Sequence, residues 1–258
     1  MKFYYFMLPL IASAIVSCEE DKDKFSGQDI IEFSDPNFLK ALLVVKEGDL
    51  GNPYYDDVVT PYLINVDANM DGKISINEAK SVKALDIDDE DGFEVREMPE
   101  IKYFTSLIAL HCYSSTLYSI DVSKNKSLKY LDLWFGGEKK TSCRAITLGD
   151  NTELEYLGIS KSSIETLDMS GCINLEWLYL EYNKNLKSLD ISKNNKLKYL
   201  WLFDNSVETL DLSGCAELEE IVLREQIQKI IINVNNKYPN AFIDRYTDIK
   251  ISLNMSND

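Results

Sequence analysis

Asp67, Asn69, Asp71, Ser75 and Glu78 stand at positions 1, 3, 5, 9 and 12 of the stretch DANMDGKISINE. Alternating carboxylate, amide and hydroxyl oxygens at this spacing are ligands for a hard cation. Gly72, at the sixth position, permits the sharp turn that such a loop needs, and Lys73 at the seventh offers its backbone carbonyl. Ile74 at the eighth is apolar and suited to anchoring the loop, and Glu78 closes it with two oxygens. Calcium fits this set better than magnesium, which demands a tighter octahedron. The expected ligands are Asp67, Asn69, Asp71, Lys73, Ser75 and Glu78, with calcium as the expected cofactor.

The twelve residues resemble an EF-hand loop, but their surroundings depart from the sensor type. One loop is present where sensors pair two, Pro61 lies in the segment that leads into it, and no Met-rich groove is visible. The acidic run from Asp86 to Gly92 has the wrong spacing for a second loop. The resemblance therefore implies a structural ion rather than a switch.

Catalysis finds no support in the residue types. His111 is the single histidine, and in a strand its neighbour Cys112 points to the opposite face. No nucleophile elbow, phosphate loop or zinc spacing occurs, so a non-enzymatic protein is expected. A formal net charge of −16, from 27 basic and 43 acidic residues, argues against binding nucleic acid through its phosphates.

Residues 1–17 read as an export signal: Lys2, an apolar stretch from Phe3 to Val16, then small residues. Ile15, Ser17 and Cys18 resemble a bacterial lipobox, which implies cleavage before Cys18 and a lipid on that cysteine. The acidic linker that follows, within 18–28, is similar to runs that accompany display on the outer surface of some Gram-negative bacteria. An outer-membrane, cell-surface lipoprotein is the resulting expectation, touching the membrane through its anchor alone.

Self-similarity organises the rest. The lines LIALHCYSS from Leu107, LKYLDLWFG from Leu128, LEYLGISKS from Leu154, LEWLYLEYN from Leu175, LKYLWLFDN from Leu197 and LEEIVLREQ from Leu218 align by their leucines. Between them runs a second series, among it LDMSGC, LDISKN and LDLSGC. This pattern resembles the leucine-rich repeat family over about half of the chain. The resemblance implies an α/β solenoid with a parallel sheet on its concave face and a small helical N-terminal cap. The expected boundaries are a helical cap with the cation loop over 29–84, repeats over 85–224, and a C-terminal cap over 225–258. Asn125, Asn151, Cys172, Asn194 and Cys215 share one turn position; Cys172 and Cys215 lie two coils apart, too far to bridge. An insertion within FGGEKKTSCR reads as a protruding loop.

In each line the residues flanking the last two leucines point away from the core. Nine of these eighteen positions are aromatic against 11% of the whole chain, so the exposed face is built for more than solubility. Tyr130, Tyr156, Trp177 and Tyr199 are expected to form one stacked column, with Asp132, Trp134, Tyr179, Glu181, Trp201 and Phe203 beside it. These ten residues are the expected ligand-binding face, for a protein partner in an adhesion or scaffold role, or alternatively for a glycan whose rings stack on the column.

The lipid anchor yields the first test. Cys18→Ala is expected to abolish incorporation of a labelled fatty acid and to release the chain into the soluble fraction. Labelling that is undiminished in the variant would remove the anchor from Cys18.

Overall fold

The computed structural model describes residues 29–44, 46–49, 61–88, 92–114, 116–136, 143–224, 229–233, 240–243 and 250–254. The export signal, Cys18, the acidic linker, Ser115 and residues 137–142 of the insertion lie outside the described residues.

Helix α1 (Pro36–Leu42) begins where Asp35 accepts the Asn37 amide at 2.8 Å and Pro36 supplies a first position that needs no donor. The second oxygen of Asp35 accepts the amides of Arg96 at 2.6 Å and Glu97 at 3.3 Å, which fastens the helix start to a distant segment. Strands β1 (Lys46–Asp49) and β2 (Pro61–Ile64) pair antiparallel. Helix α2 (Ile76–Ser81) opens on a reciprocal cap in which Ser75 and Glu78 satisfy each other's amides. The N-terminal region is thus a mixture of short helices and a hairpin.

Strand β3 (Ala84–Asp88) follows α2 at once and begins the repeats, ahead of the first leucine line seen in the sequence. A 3-10 turn (Pro99–Tyr103) leads to β4 (Ala109–Tyr113), β5 (Ser119–Asp121), β6 (Tyr130–Trp134) and β7 (Ala145–Thr147). Then come β8 (Tyr156–Ser160), β9 (Trp177–Glu181), β10 (Tyr199–Phe203), β11 (Thr209–Asp211) and β12 (Glu220–Arg224). The last strands are β13 (Lys229–Asn233), β14 (Asn240–Ile243) and β15 (Lys250–Asn254).

Eight strands form one long sheet in the order β14-β12-β10-β9-β8-β6-β4-β3. Every neighbouring pair in it is parallel, as expected for a chain that returns to the same face once per coil. Smaller parallel pairings, β5 with β7 and β11-β13-β15, join the second segment of the coils. The chain beyond Arg224 was expected to break the repeat as a cap. Instead β14 extends the long sheet, and β13 and β15 extend the smaller one.

Alternation along the strands sets the core. Leu131, Leu157, Leu178 and Leu200 are at most 1% exposed, so the leucine rows of successive coils close into one apolar column. Phe38 and Ile74, both at 0% exposure, carry that column into the N-terminal region.

Two polar columns flank it. Asn183 and Asn205 each donate from Nδ2 to a carbonyl of the preceding coil, Ile159 at 2.9 Å and Leu180 at 3.0 Å. Their Oδ1 atoms accept the next rung, from the Ser162 amide and hydroxyl and from the Asn183 amide. These rungs follow Lys161, Tyr182 and Asp204, which sit at φ of 58, 55 and 50°. Non-glycine residues occupy that region only when the surrounding bonds over-determine it.

In the other column, Asn125 and Asn194 donate to two buried carbonyls each and Asn151 to one, while their Oδ1 atoms find no partner. Cys215 reaches the equivalent carbonyls, Ile191 at 3.8 Å and Asn194 at 4.0 Å, and has no second polar atom to strand there. All four described cysteines are buried and outside any disulfide, and burial pushes Cys143 and Cys172 up to about 11 and Cys215 up to about 12. They fill space, Cys143 and Cys215 also meet backbone carbonyls, and burial disfavours the thiolate of Cys143, Cys172 and Cys215.

Asn194 separates these contributions. Asn194→Leu removes the second donor from the Met169 and Cys172 carbonyls, which keep the amides of Cys172 and Leu175, and is expected to cost about 2 kcal/mol in urea unfolding. Asn194→Cys retains a weak donor, removes the stranded oxygen, and is expected to cost less than half as much. Equal losses for the two variants would show that the carbonyls do not need the ladder.

Candidate functional site

The cation loop folds onto its own amides. Asp67 accepts the amides of Asp71 at 3.1 Å and Gly72 at 2.8 Å through separate oxygens. Asn69 Oδ1 accepts the Asp71 amide, and Asp71 Oδ1 accepts that of Lys73, each at 2.9 Å. Gly72 turns the chain at φ of 79°, a conformation open to glycine at little cost. Glu78, fully buried, accepts the amides of Asn69 at 3.3 Å and Ser75 at 2.8 Å, and the Ser75 hydroxyl at 2.9 Å. Among the described residues no Lys or Arg pairs with Asp67 or Glu78.

Five of the six sequence-predicted cation ligands thus join one hydrogen-bonded loop through their side chains, and Lys73 joins it through its amide. Their carboxylates do not form a compact cage: among the described residues no group of three or more His, Cys, Asp or Glu is placed to hold a metal. The donor chemistry nonetheless fits a hard cation, since it is all oxygen and includes a buried carboxylate compensated by dipoles alone. A short antiparallel bridge fixes the loop from outside: Ile31 donates to the Ile74 carbonyl at 2.9 Å, and Ile76 to that of Asp29 at 3.0 Å.

On the outer face of the long sheet, register places Tyr130, Tyr156, Trp177 and Tyr199 side by side. Tyr130 and Tyr156 stack at 4.4 Å and 11°, and Trp177 and Tyr199 at 3.3 Å and 9°. Within each pair, one face of each ring is covered by its partner. Tyr156 and Tyr179 are buried, at 7% and 8% exposure, which takes them from the predicted contact surface into its foundation. Tyr130, Trp134, Trp177, Tyr199, Trp201 and Phe203 remain half-exposed. Tyr179, Trp201 and Phe203 pack on one another at 5.8 to 6.2 Å. Trp134 packs edge-on against Tyr113 and carries the Lys161 ammonium 4.5 Å above its ring.

The polar tips of these rings are tied down. Tyr179 donates to Glu181 at 2.7 Å, Tyr199 to Glu219 at 2.9 Å and Trp201 Nε1 to Glu220 at 2.9 Å. Burial and the bond to Glu219 push the Tyr199 phenol up to about 12. Each bond fixes a rotamer before any partner arrives.

One cluster was only half legible. Register places Asp86, His111 and Asp132 side by side on β3, β4 and β6. His111 Nδ1 donates to Asp86 at 3.1 Å, and Nε2 lies 3.9 Å from the Asp132 carboxylate. Burial lowers the imidazole's pKa, but the Asp86 hydrogen bond and the charges of Asp132, Asp86 and Asp88 together raise it above the ordinary value. Burial also holds Asp132 above the usual carboxylate range, against the pull of His111. Gly158 makes the room: a Cβ there would stand 2.3 Å from Asp132 Oδ1 and 3.0 Å from the Tyr156 hydroxyl. Asp86 and Asp88 were missed as face residues, although Val82, Leu85 and Ile87 carry the same apolar spacing as the leucine lines.

No protein-family model matches the chain, and no curated protein matches it. Among solved structures, the functional domain of InlJ from Listeria monocytogenes, described as including a cysteine ladder, is similar at 16% identity and a TM-score of 0.25. That similarity covers 62% of this chain and 51% of the InlJ domain, so the chain spans about half of its length. Internalin C2 from the same organism is similar at 13% identity and a TM-score of 0.40, over 86% of this chain and 94% of that one. The repeat architecture assigned to the present chain stands on its own sheet register and polar ladders.

Proposed function

We propose that the chain is a non-enzymatic, surface-displayed lipoprotein that binds protein partners through the outer face of its long sheet. The observation that carries this reading is the set of half-exposed aromatics whose tips are already bonded to carboxylates. Binding costs side-chain entropy, and anchors held in one rotamer beforehand lose less of it. Large amphipathic rings of this kind are the usual hot spots of protein interfaces. A glycan reading asks for open ring faces, whereas Trp177 with Tyr199 and Tyr130 with Tyr156 cover one another. For catalysis the described residues offer little: the one imidazole faces two carboxylates, and the described thiols are buried. No helix among the described residues is long and apolar enough to cross a membrane, which is consistent with attachment through a lipid.

Trp201→Ala tests the face. Arrays of cell-surface proteins and of glycans are probed with the wild-type chain, with Trp201→Ala, and with Ile173→Ser as an exposed control away from the sheet. Protein binding weakened about thirtyfold in Trp201→Ala alone, the loss of one anchor of about 2 kcal/mol, supports the reading. Glycan hits with that sensitivity would transfer the function to carbohydrate, and equal binding by all three chains would overturn the face altogether.

We further propose that the twelve-residue loop holds a structural calcium ion, with Asp67, Asn69, Asp71 and Glu78 as side-chain ligands, the Lys73 carbonyl, and Ser75 through water. The ion would supply positive charge to a buried carboxylate. Ile74, at 0% exposure, ties the loop to the core, and the bridge to 29–31 holds its other edge. A ligand at a hundredfold excess over its Kd stabilises the folded state by about 2.7 kcal/mol. Chelation, or Asp67→Ala with Glu78→Ala, is expected to speed hydrogen exchange over 35–83 and leave 177–224 nearly unchanged, because each coil contacts only its neighbours. Equal loosening of both segments would make the ion a switch, and no change in the first would remove it.

A further inference from the structure

The Asp86–His111–Asp132 row has a geometry that stacking and core packing do not require. With its proton on Nδ1, bonded to Asp86, the neutral imidazole presents the Nε2 lone pair toward Asp132. The two acceptors stand 3.9 Å apart, beyond hydrogen-bond reach of each other. A single N–H-bearing cation placed above them would lie about 2.9 Å from both, the ordinary length of such bonds. Side-chain exposures of 34% for His111, 27% for Asp86 and 17% for Asp132 leave the gap reachable from solvent. Among the described residues no Lys or Arg pairs with Asp132.

We propose that the space between His111 Nε2 and Asp132 seats a Lys ammonium or Arg guanidinium of a protein docked on the long sheet, and that protonation of His111 closes the seat. This inference rests on the reading of that face as a protein-binding surface. Charge complementarity selects the occupant: Asp86, Asp88, Asp132, Glu181 and Glu220 all lie on the sheet strands. Their shared negative charge attracts a basic segment and repels an acidic one.

The sign of the pH response follows from the groups that face His111. Strand β3 contributes Asp86 and Asp88, and β6 contributes Asp132. The carboxylates hold the proton on His111 to a higher pH than usual, so the closed seat persists until the imidazole titrates. A cation at Nε2 competes with that proton. Affinity therefore rises as pH passes upward through the His111 pKa and levels off above it. Below it, affinity falls by up to about tenfold per pH unit, the limit for one linked proton. The same raised pKa makes the His111 contribution to folding largest at low pH, and that contribution is lost as pH rises through the folded value.

Because the chain has one histidine, its imidazole resonance reports the site without ambiguity. The probe is the peptide acetyl-Gly-Arg-Gly-Arg-Gly-amide, titrated by NMR between pH 5 and about pH 8.5. Saturating peptide is expected to lower the His111 midpoint, and the Kd is expected to weaken on acidification. Asp132→Asn should bind several-fold more weakly, and His111→Gln should bind with no pH slope; the second variant carries the test if the first melts early. An unmoved midpoint, no binding at millimolar peptide, or an unchanged slope in His111→Gln would overturn the seat. If the seat fails while Trp201→Ala still abolishes capture of a protein partner, the binding face survives. If Trp201→Ala has no effect either, both readings fall together.

Discussion

Each coil turns backbone inward at a place that water does not reach, and the carbonyls there must find donors within the protein. Each already accepts one amide of its own turn, and the demand of its second lone pair, worth about 0.5–1.5 kcal/mol net, recurs with every coil. Asn125, Asn151 and Asn194 meet it with amide donors that bond the coil before. Three stranded Oδ1 atoms are the residue of that solution. A cysteine strands nothing but donates weakly, as the long contacts of Cys215 show. Neither side chain is ideal, which gives a physical reason for the column to use both.

Once those bonds hold successive turns in register, the outer face inherits the register. Parallel strands about 4.8 Å apart place like positions side by side, so a residue type repeated along the sequence becomes a contact. Trp177 stacks on Tyr199 because both occupy the first position of adjacent strands. Asp86, His111 and Asp132 meet because all three occupy the middle position. The same regularity makes Gly158 informative. It is the middle residue of the next strand, and its missing side chain lets the Asp132 carboxylate lie across β8 and lose most of its water. A carboxylate in that setting is costly unless a cation is near, and His111, when protonated, places one 3.9 Å away.

What could be read in advance was whatever depends on period alone. The leucine rows, the alternation of exposed and buried positions and the turn column follow from spacing, and the structure places Leu131, Leu157, Leu178 and Leu200 in the core accordingly. The first strand escaped notice because Val82, Leu85 and Ile87 substitute for leucines and a run of aspartates obscures them. The strands after Arg224 escaped because their lines lack the leucine spacing, although their backbone continues both sheets. The near-parallel stacking of Tyr130 on Tyr156 and of Trp177 on Tyr199 turns on ring orientation, which no sequence spacing encodes. Nor does the tilt that buries Tyr156 and Tyr179 while Trp201 stays half-exposed.

The two features of the N-terminal half are joined by very little chain. Helix α2 ends at Ser81 and β3 begins at Ala84, so the helix that leaves the oxygen-rich loop feeds directly into the strand bearing Asp86 and Asp88. Ile108 and Ala109 both donate to the Lys83 carbonyl, at 2.7 and 3.1 Å, which sets the register of β3 against β4. A slip of one residue there would turn Asp86 into the core and Leu85 outward. The hydrogen bond to His111 would be lost with it, and the imidazole would keep only Asp132. Whatever holds Glu78 and Ser75 in their reciprocal cap therefore also holds the carboxylate that selects the His111 tautomer. The loop acts on the face through covalent geometry and register, and no movement of the repeats is required.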